Sequence, residues 1–186
     1  KATCIYANYL EPKESQRLSL LMAVAERAQA QQARQPECIN AWYWQAYALG
    51  RYSQGISVAK ALAEGLGTRV RKALETTIRL APNHADAHIA LAAFHAEVID
   101  KVGALIGGMT YGARKDVGLR HYQTALRLNP HSAIALVEYA NGMVMLEGER
   151  RMDEATALYQ QAAHTTPADA MERLDVELAK AELADG

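Results

Sequence analysis

The prolines at Pro36, Pro82, Pro130 and Pro167 restrict this chain most. A proline breaks the interior of a helix, and the residue before it is pushed out of the helical region. The gaps between the four are 46, 48 and 37 residues, and only Pro12 lies outside the series. Between them the chain is rich in helix formers. Ala, the best of these, supplies 36 of the 186 residues, and strand-like runs of Val, Ile and Thr are few. An all-α chain is therefore expected, cut by proline into units of similar design.

The units share side chains as well as spacing. Gly118-x3-Tyr122-x2-Ala125 precedes Pro130, and Ala155-x3-Tyr159-x2-Ala162 precedes Pro167 at the same offsets. Val70, Leu74 and Thr77 hold those places before Pro82. Six residues after a proline a second pattern opens: Trp42-x2-Gln45-Ala46-x2-Leu49, His88-x2-Leu91-Ala92-x2-His95, and Leu136-x2-Tyr139-Ala140-x2-Met143. Small residues at fixed places let two helix backbones approach, and large ones a turn away fill the adjoining gaps. The arrangement resembles the tetratricopeptide repeat (TPR), a helix–turn–helix unit of about 34 residues. The resemblance covers residues 36–170 and is better in the second helices than in the first.

That resemblance implies a right-handed TPR-like helical solenoid of three to four helix pairs, forming a single domain over residues 1–186. N-terminal helices would occupy 1–35, repeats 36–82, 83–130 and 131–167, and a C-terminal cap helix 168–186. Ser15 to Gln32 carries Leu18, Leu21, Met22, Ala25 and Ala28 on one side, and Ala170 to Ala184 carries Met171, Leu174, Leu178 and Leu183. Both read as helices, the second as a solubilising cap. The units exceed the ordinary repeat length inside the helix pairs, at residues 50–69 and 98–117. Ile56, Ala59, Ala63 and Leu66 keep helical spacing in one insertion, as do Ile99, Val102, Ile106 and Met109 in the other.

Composition excludes several classes. A net charge of −1 removes the general electrostatic case for nucleic acid. No stretch is apolar enough for a membrane span, and two cysteines cannot build a disulfide framework. Residues 1–130 hold 16 basic and 10 acidic side chains, whereas 131–186 hold 4 and 11. That imbalance fits either a solvated cap or head-to-tail self-association into a homo-oligomer.

No catalytic, cofactor or metal site is expected. Gly107-Gly108-Met109-Thr110-Tyr111-Gly112 lacks the Lys-Ser/Thr of a phosphate loop. His88 and His95 lie two turns apart, about 10 Å, too far to share one ion. His84, beside Pro82, sits at a helix start, and His88 and His95 read as core or semi-core. His95-Ala96-Glu97 has no Pro-Cys-x2-Cys after it. Ser53 is out of register for a nucleophile elbow, and neither Cys4 nor Cys38 has a basic partner at helical spacing.

The repeat register instead implies a concave groove for a protein or peptide. Asn40, Tyr43, Tyr47 and Arg51 would line it, then Asp86, Ile89, Ala93 and Glu97, then Ile134, Val137, Asn141 and Met145. Coverage of Tyr43 and Tyr47 by the N-terminal helix is the competing expectation. Some TPR proteins clamp a chaperone's terminal carboxylate with Lys, Asn and Arg. The matching places here hold Tyr43, Tyr47, Ala90, Ile134 and Glu138, so no such clamp is expected.

The run from Leu49-Gly50-Arg51 through Val70-Arg71-Lys72-Ala73-Leu74 to Leu80-Ala81-Pro82-Asn83-His84-Ala85-Asp86-Ala87-His88 is similar to bacterial relatives of regulator-of-microtubule-dynamics proteins. Those are non-enzymatic repeat proteins. Gly107-Gly108 with Tyr122-x2-Ala125 resembles the T component of TRAP transport systems, lipoproteins proposed to hold apolar ligands. Here the start shows no lipobox, although Cys4 lies near it.

The sequence thus points to a non-catalytic binding scaffold, cytoplasmic, or periplasmic if an upstream signal has been removed. The alternatives are self-assembly and a carrier of a hydrophobic small molecule. The carrier's pocket would be walled by the two insertions, with Ile56, Leu105, Ile106, Met109 and Tyr111 inside it.

Overall fold

A computed structural model describes residues 1–185, and within them the chain is helical with no strand. The α-helices are α1 (Ala2–Ile5), α2 (Glu14–Arg34), α3 (Ile39–Gln54), α4 (Val58–Ala63), α5 (Leu66–Leu80), α6 (Ala85–Val102), α7 (Ala104–Tyr111), α8 (Lys115–Leu128), α9 (Ala133–Glu147), α10 (Met152–Ala163) and α11 (Ala170–Asp185). None of them is long and apolar enough to cross a membrane. The expected terminal helices are present as α2 and α11. The two insertions contribute the short helices α4 and α7.

Proline acts at the helix junctions through backbone geometry. Gln35, Ala81 and Asn129, each directly before a proline, have φ/ψ of −138/83°, −139/84° and −141/86°. Each ends a helix by donating its N–H to the carbonyl four residues back. Two residues past Pro82, Pro130 and Pro167 a side chain caps the next helix, whereas Cys38, two past Pro36, makes no side-chain cap bond. The Nδ1 of His84 accepts from the Ala87 N–H at 3.2 Å, Ser132 Oγ from the Ala135 N–H at 3.3 Å, and Asp169 Oδ1 from the Glu172 N–H at 2.9 Å. Such caps satisfy amide groups that the first helical turn leaves without partners. Glu172 also accepts from the Ala168 N–H at 2.7 Å, in the manner of a capping box. The last junction is longer: α10 ends on His164 in helical geometry, three residues before Pro167.

The chain divides into two compact units, Lys1–Ala87 and His88–Gly186. In the first, α3 packs against both α2 and α5. Leu21, Val24 and Ala25 of α2, Ala46, Ala48 and Leu49 of α3, and Leu66, Val70, Ala73 and Leu74 of α5 are buried. One polar group is taken into this core with its bonds made. Gln32 Nε2 donates to the Ala41 carbonyl at 3.1 Å and to Gln45 Oε1 at 2.9 Å, which offsets the cost of burying an amide.

In the second unit α9 packs on α8, α10 and α11. Ala133, Leu136, Val137, Ala162, Val176 and Ala179 form one core cluster, and Ile89, Ala125 and Ala135 another. The small residues of the repeat do here what their spacing predicts. A Cβ on Gly118 would stand 3.2 Å from the His95 Cβ and 3.5 Å from the Ala92 carbonyl oxygen. Gly142, which the repeat pattern does not single out, is tighter still: its place is filled by the ring of Tyr122, stacked on Tyr139 with centroids 5.1 Å apart.

An ion-pair node sits at the end of α9. Glu147 accepts from Lys115 at 2.9 Å and from Arg151 at 2.5 Å, with its side chain only 13% exposed. Hydrogen bonding to Lys115, aided by the positive fields of Arg151 and Arg150, holds its carboxyl below the usual value of 4.5.

Two predictions follow from this packing. Gly118→Leu and Gly142→Ala should each destabilise the second unit by roughly 1–3 kcal/mol through overpacking, read by thermal or urea melting. Glu147→Gln should cost about 0.5–1 kcal/mol near neutral pH. Because the folded value is depressed, the carboxylate's contribution is complete above 4.5 and is lost as pH falls through the lowered value. The wild-type and variant melting curves should therefore converge in acid.

Candidate functional site

The residues expected to line a groove divide between the two units and differ widely in exposure. In the first unit Asn40 and Asp86 are exposed, Tyr47 and Arg51 are half-buried, and Tyr43 is buried at 5%. Tyr43 therefore belongs to the core rather than to a binding face. Its ring packs 4.6 Å from His84 and 4.9 Å from Trp44, and burial holds its hydroxyl well above the usual value.

The accessible face of α3 keeps the expected Tyr47 and Arg51 and has Trp44 in place of Tyr43. Trp44 and Tyr47 are both half-buried, with ring centroids 5.3 Å apart. The Arg51 guanidinium lies 5.7 Å from the centre of the Tyr47 ring and donates to Gln54 Oε1 at 3.2 Å. Spacings of three and four residues put Trp44, Tyr47 and Arg51 on a single helix face. Trp44 was missed because the repeat register gave priority to position 43. The signal for it was the spacing itself.

In the second unit Ile89 and Val137 are buried at 5% and 2% and belong to the two core clusters, so they too are corrected to core. Ile134 is half-buried against the Ile89 cluster. Glu97 is half-buried and lies 3.7 Å from Lys101. Asn141 accepts from the Tyr159 hydroxyl at 2.5 Å, tying α9 to α10. Ala93 is half-buried and Met145 is 40% exposed. Apolar burial rather than groove formation claims Ile89 and Val137, while Ala93, Ile134 and Met145 keep some exposure.

The residues proposed to wall a ligand pocket behave differently again. Leu105, Ile106 and Met109 on α7 are 77%, 57% and 82% exposed, which is the opposite of an enclosed lining. Tyr111 is half-buried, and Ile56 is half-buried in the other unit. Helix α7 is bracketed by Gly103 at φ +81° and Gly112 at φ +64°, where the left-handed backbone favours glycine. Gly107 lets α7 lie close to α6, since a Cβ there would meet Val98 Cγ1 at 3.1 Å. These glycines shape a turn.

The histidines group in a way the sequence did not show. His88 and His95 are buried at 6% and 3%, as their repeat positions implied. His121 of α8 joins them, its Nδ1 2.7 Å from that of His88 and its ring stacked 6.5 Å from that of His95. The Arg114 N–H donates to His95 Nδ1 at 3.2 Å, so that nitrogen is already engaged. Among the described residues no group of three or more His, Cys, Asp or Glu is placed to hold a metal.

Cys4 is fully buried, and burial raises its thiol to about 11, whereas Cys38 is half-buried. A neutral thiol reagent at pH 7.5 should therefore label one cysteine per native chain, at Cys38, and two in denaturant. Mass spectrometry of the labelled chain reads this directly. No family model and no curated protein matches the chain.

Proposed function

We propose that the chain is a non-catalytic, TPR-like binding module that engages a protein or peptide through the Trp44–Tyr47–Arg51 face of α3. The observation that carries this reading is the composition and exposure of that face. Trp, Tyr and Arg are the residues that most often dominate binding energy: Trp and Tyr offer large contact areas with few rotamers to immobilise, and Arg adds a planar fork of donors. Here all three remain partly accessible while their neighbours Tyr43, Gln45, Ala46 and Ala48 are buried, so the face is held rigidly by the core beneath it. A preformed face costs little to order on binding.

The repeated junction geometry and the matching small-residue positions of α8 and α10 support the repeat reading. Exposed Asn40 in the first turn of α3 extends the face with a side-chain amide, which suits pairing with an extended backbone. The carrier reading lacks this kind of support, since its apolar residues on α7 face solvent.

Selection from a displayed library of random peptides on the immobilised chain tests the proposal. A recurring sequence motif should emerge. Binding of the selected peptides should weaken at least tenfold, about 1.4 kcal/mol, in Trp44→Ala and in Tyr47→Ala variants that melt as wild type. Selection of no motif, or peptides indifferent to both substitutions, would overturn it.

A further inference from the structure

A second feature lies in the other unit and is independent of the α3 face. Where α8 ends at Leu128 and α10 ends at Ala163, the structure holds an open cavity of about 520 Å³. It is lined by Pro130, His131, Gln161, His164, Thr165 and Thr166. No charged side chain is among them. Two imidazoles are, and they come from residues 33 positions apart in the chain.

The hydrogen bonding of His164 sets its chemistry. Its Nδ1 lies 2.6 Å from the Gln160 carbonyl oxygen. A carbonyl can only accept, so Nδ1 carries the proton and Nε2 keeps a lone pair. This is the arrangement in which histidines usually meet metals, one ring nitrogen donating to a carbonyl while the other ligates. His131 is exposed, and among the described residues its side chain has no hydrogen-bond or ion-pair partner. The helix ends add a field of the right sign, because the terminal carbonyls of α8 and α10 carry partial negative charge and favour a cation. Thr165 is occupied with the Gln161 carbonyl at 3.2 Å, which leaves the imidazoles as the strong donors.

We propose that this cavity binds a borderline divalent transition metal of the Zn²⁺, Ni²⁺ and Cu²⁺ class through His131 and His164. Imidazole nitrogen selects these ions over Mg²⁺ and Ca²⁺, which prefer oxygen. With two protein ligands the remaining coordination positions are open to water or to a donor from outside the chain, so the site is an exchangeable one rather than a structural one.

Calorimetric titration of the full chain with Zn²⁺, in a non-coordinating buffer, tests this. Both histidines are exposed, so His131→Ala and His164→Ala should melt as wild type, and each should weaken Zn²⁺ binding by at least about tenfold. Cys38→Ser should leave binding intact. On Zn²⁺ addition, histidine ring ¹⁵N resonances should shift for His131 and His164 and stay in place for His88 and His121. Absence of saturable binding overturns the proposal. So does binding that survives both alanine variants, is lost in Cys38→Ser, or shifts the buried histidines instead.

Discussion

A backbone constraint one residue long underlies this fold. The residue before a proline is driven out of the helical region, and at Gln35, Ala81 and Asn129 it settles into nearly the same extended geometry. Each of these residues stops one helix, and the N-cap two places beyond the proline starts the next. The local chemistry of the caps varies: a histidine ring after Pro82, a serine hydroxyl after Pro130, and after Pro36 the Cys38 backbone carbonyl alone, which accepts from the Ala41 N–H. What is common is an acceptor able to reach the amide three residues on.

Between junctions, backbone approach decides what can pack. Gly118 admits α6 to α8, and Gly142 admits the Tyr122 ring to α9. Tyr122 is 1% exposed and stacked on Tyr139, so one aromatic position of the repeat becomes the anchor of a core. Its counterpart Tyr159 is half-buried and directs its hydroxyl to Asn141. The same repeat position thus serves as buried ring or as tether, depending on what the facing helix offers. A glycine opposite gives room for the ring, and an amide opposite gives a partner for the hydroxyl.

Much of the helical layout was legible in the residues. The terminal helices, the proline junctions and the extra helices inside the insertions all follow from apolar spacing and from proline's missing amide hydrogen. The site was less legible. Sequence spacing assigns a residue to a helix face to within a fraction of a turn, and Tyr43 and Trp44 differ by one residue, about 100° around the axis. Which of the two meets solvent is settled by the helices packed on either side of α3. Ile89 and Val137 pass from groove to core for a similar reason. An aliphatic side chain at a helix edge is buried whenever a neighbouring helix reaches it, and that neighbour is remote in sequence.

The proximity of His88 to His121, and the meeting of His131 with His164 around one cavity, could not have been read from spacing. Neither pair shares a helix, so no periodicity relates its members. By itself the sequence determined where helices begin and end, because caps, prolines and left-handed glycines act over a few neighbouring residues. Only the tertiary structure decided which side chains the helices bury and which they bring together. Contacts across helices depend on the rotation and offset of each helix against its neighbours, and these are set by the packing of the whole unit.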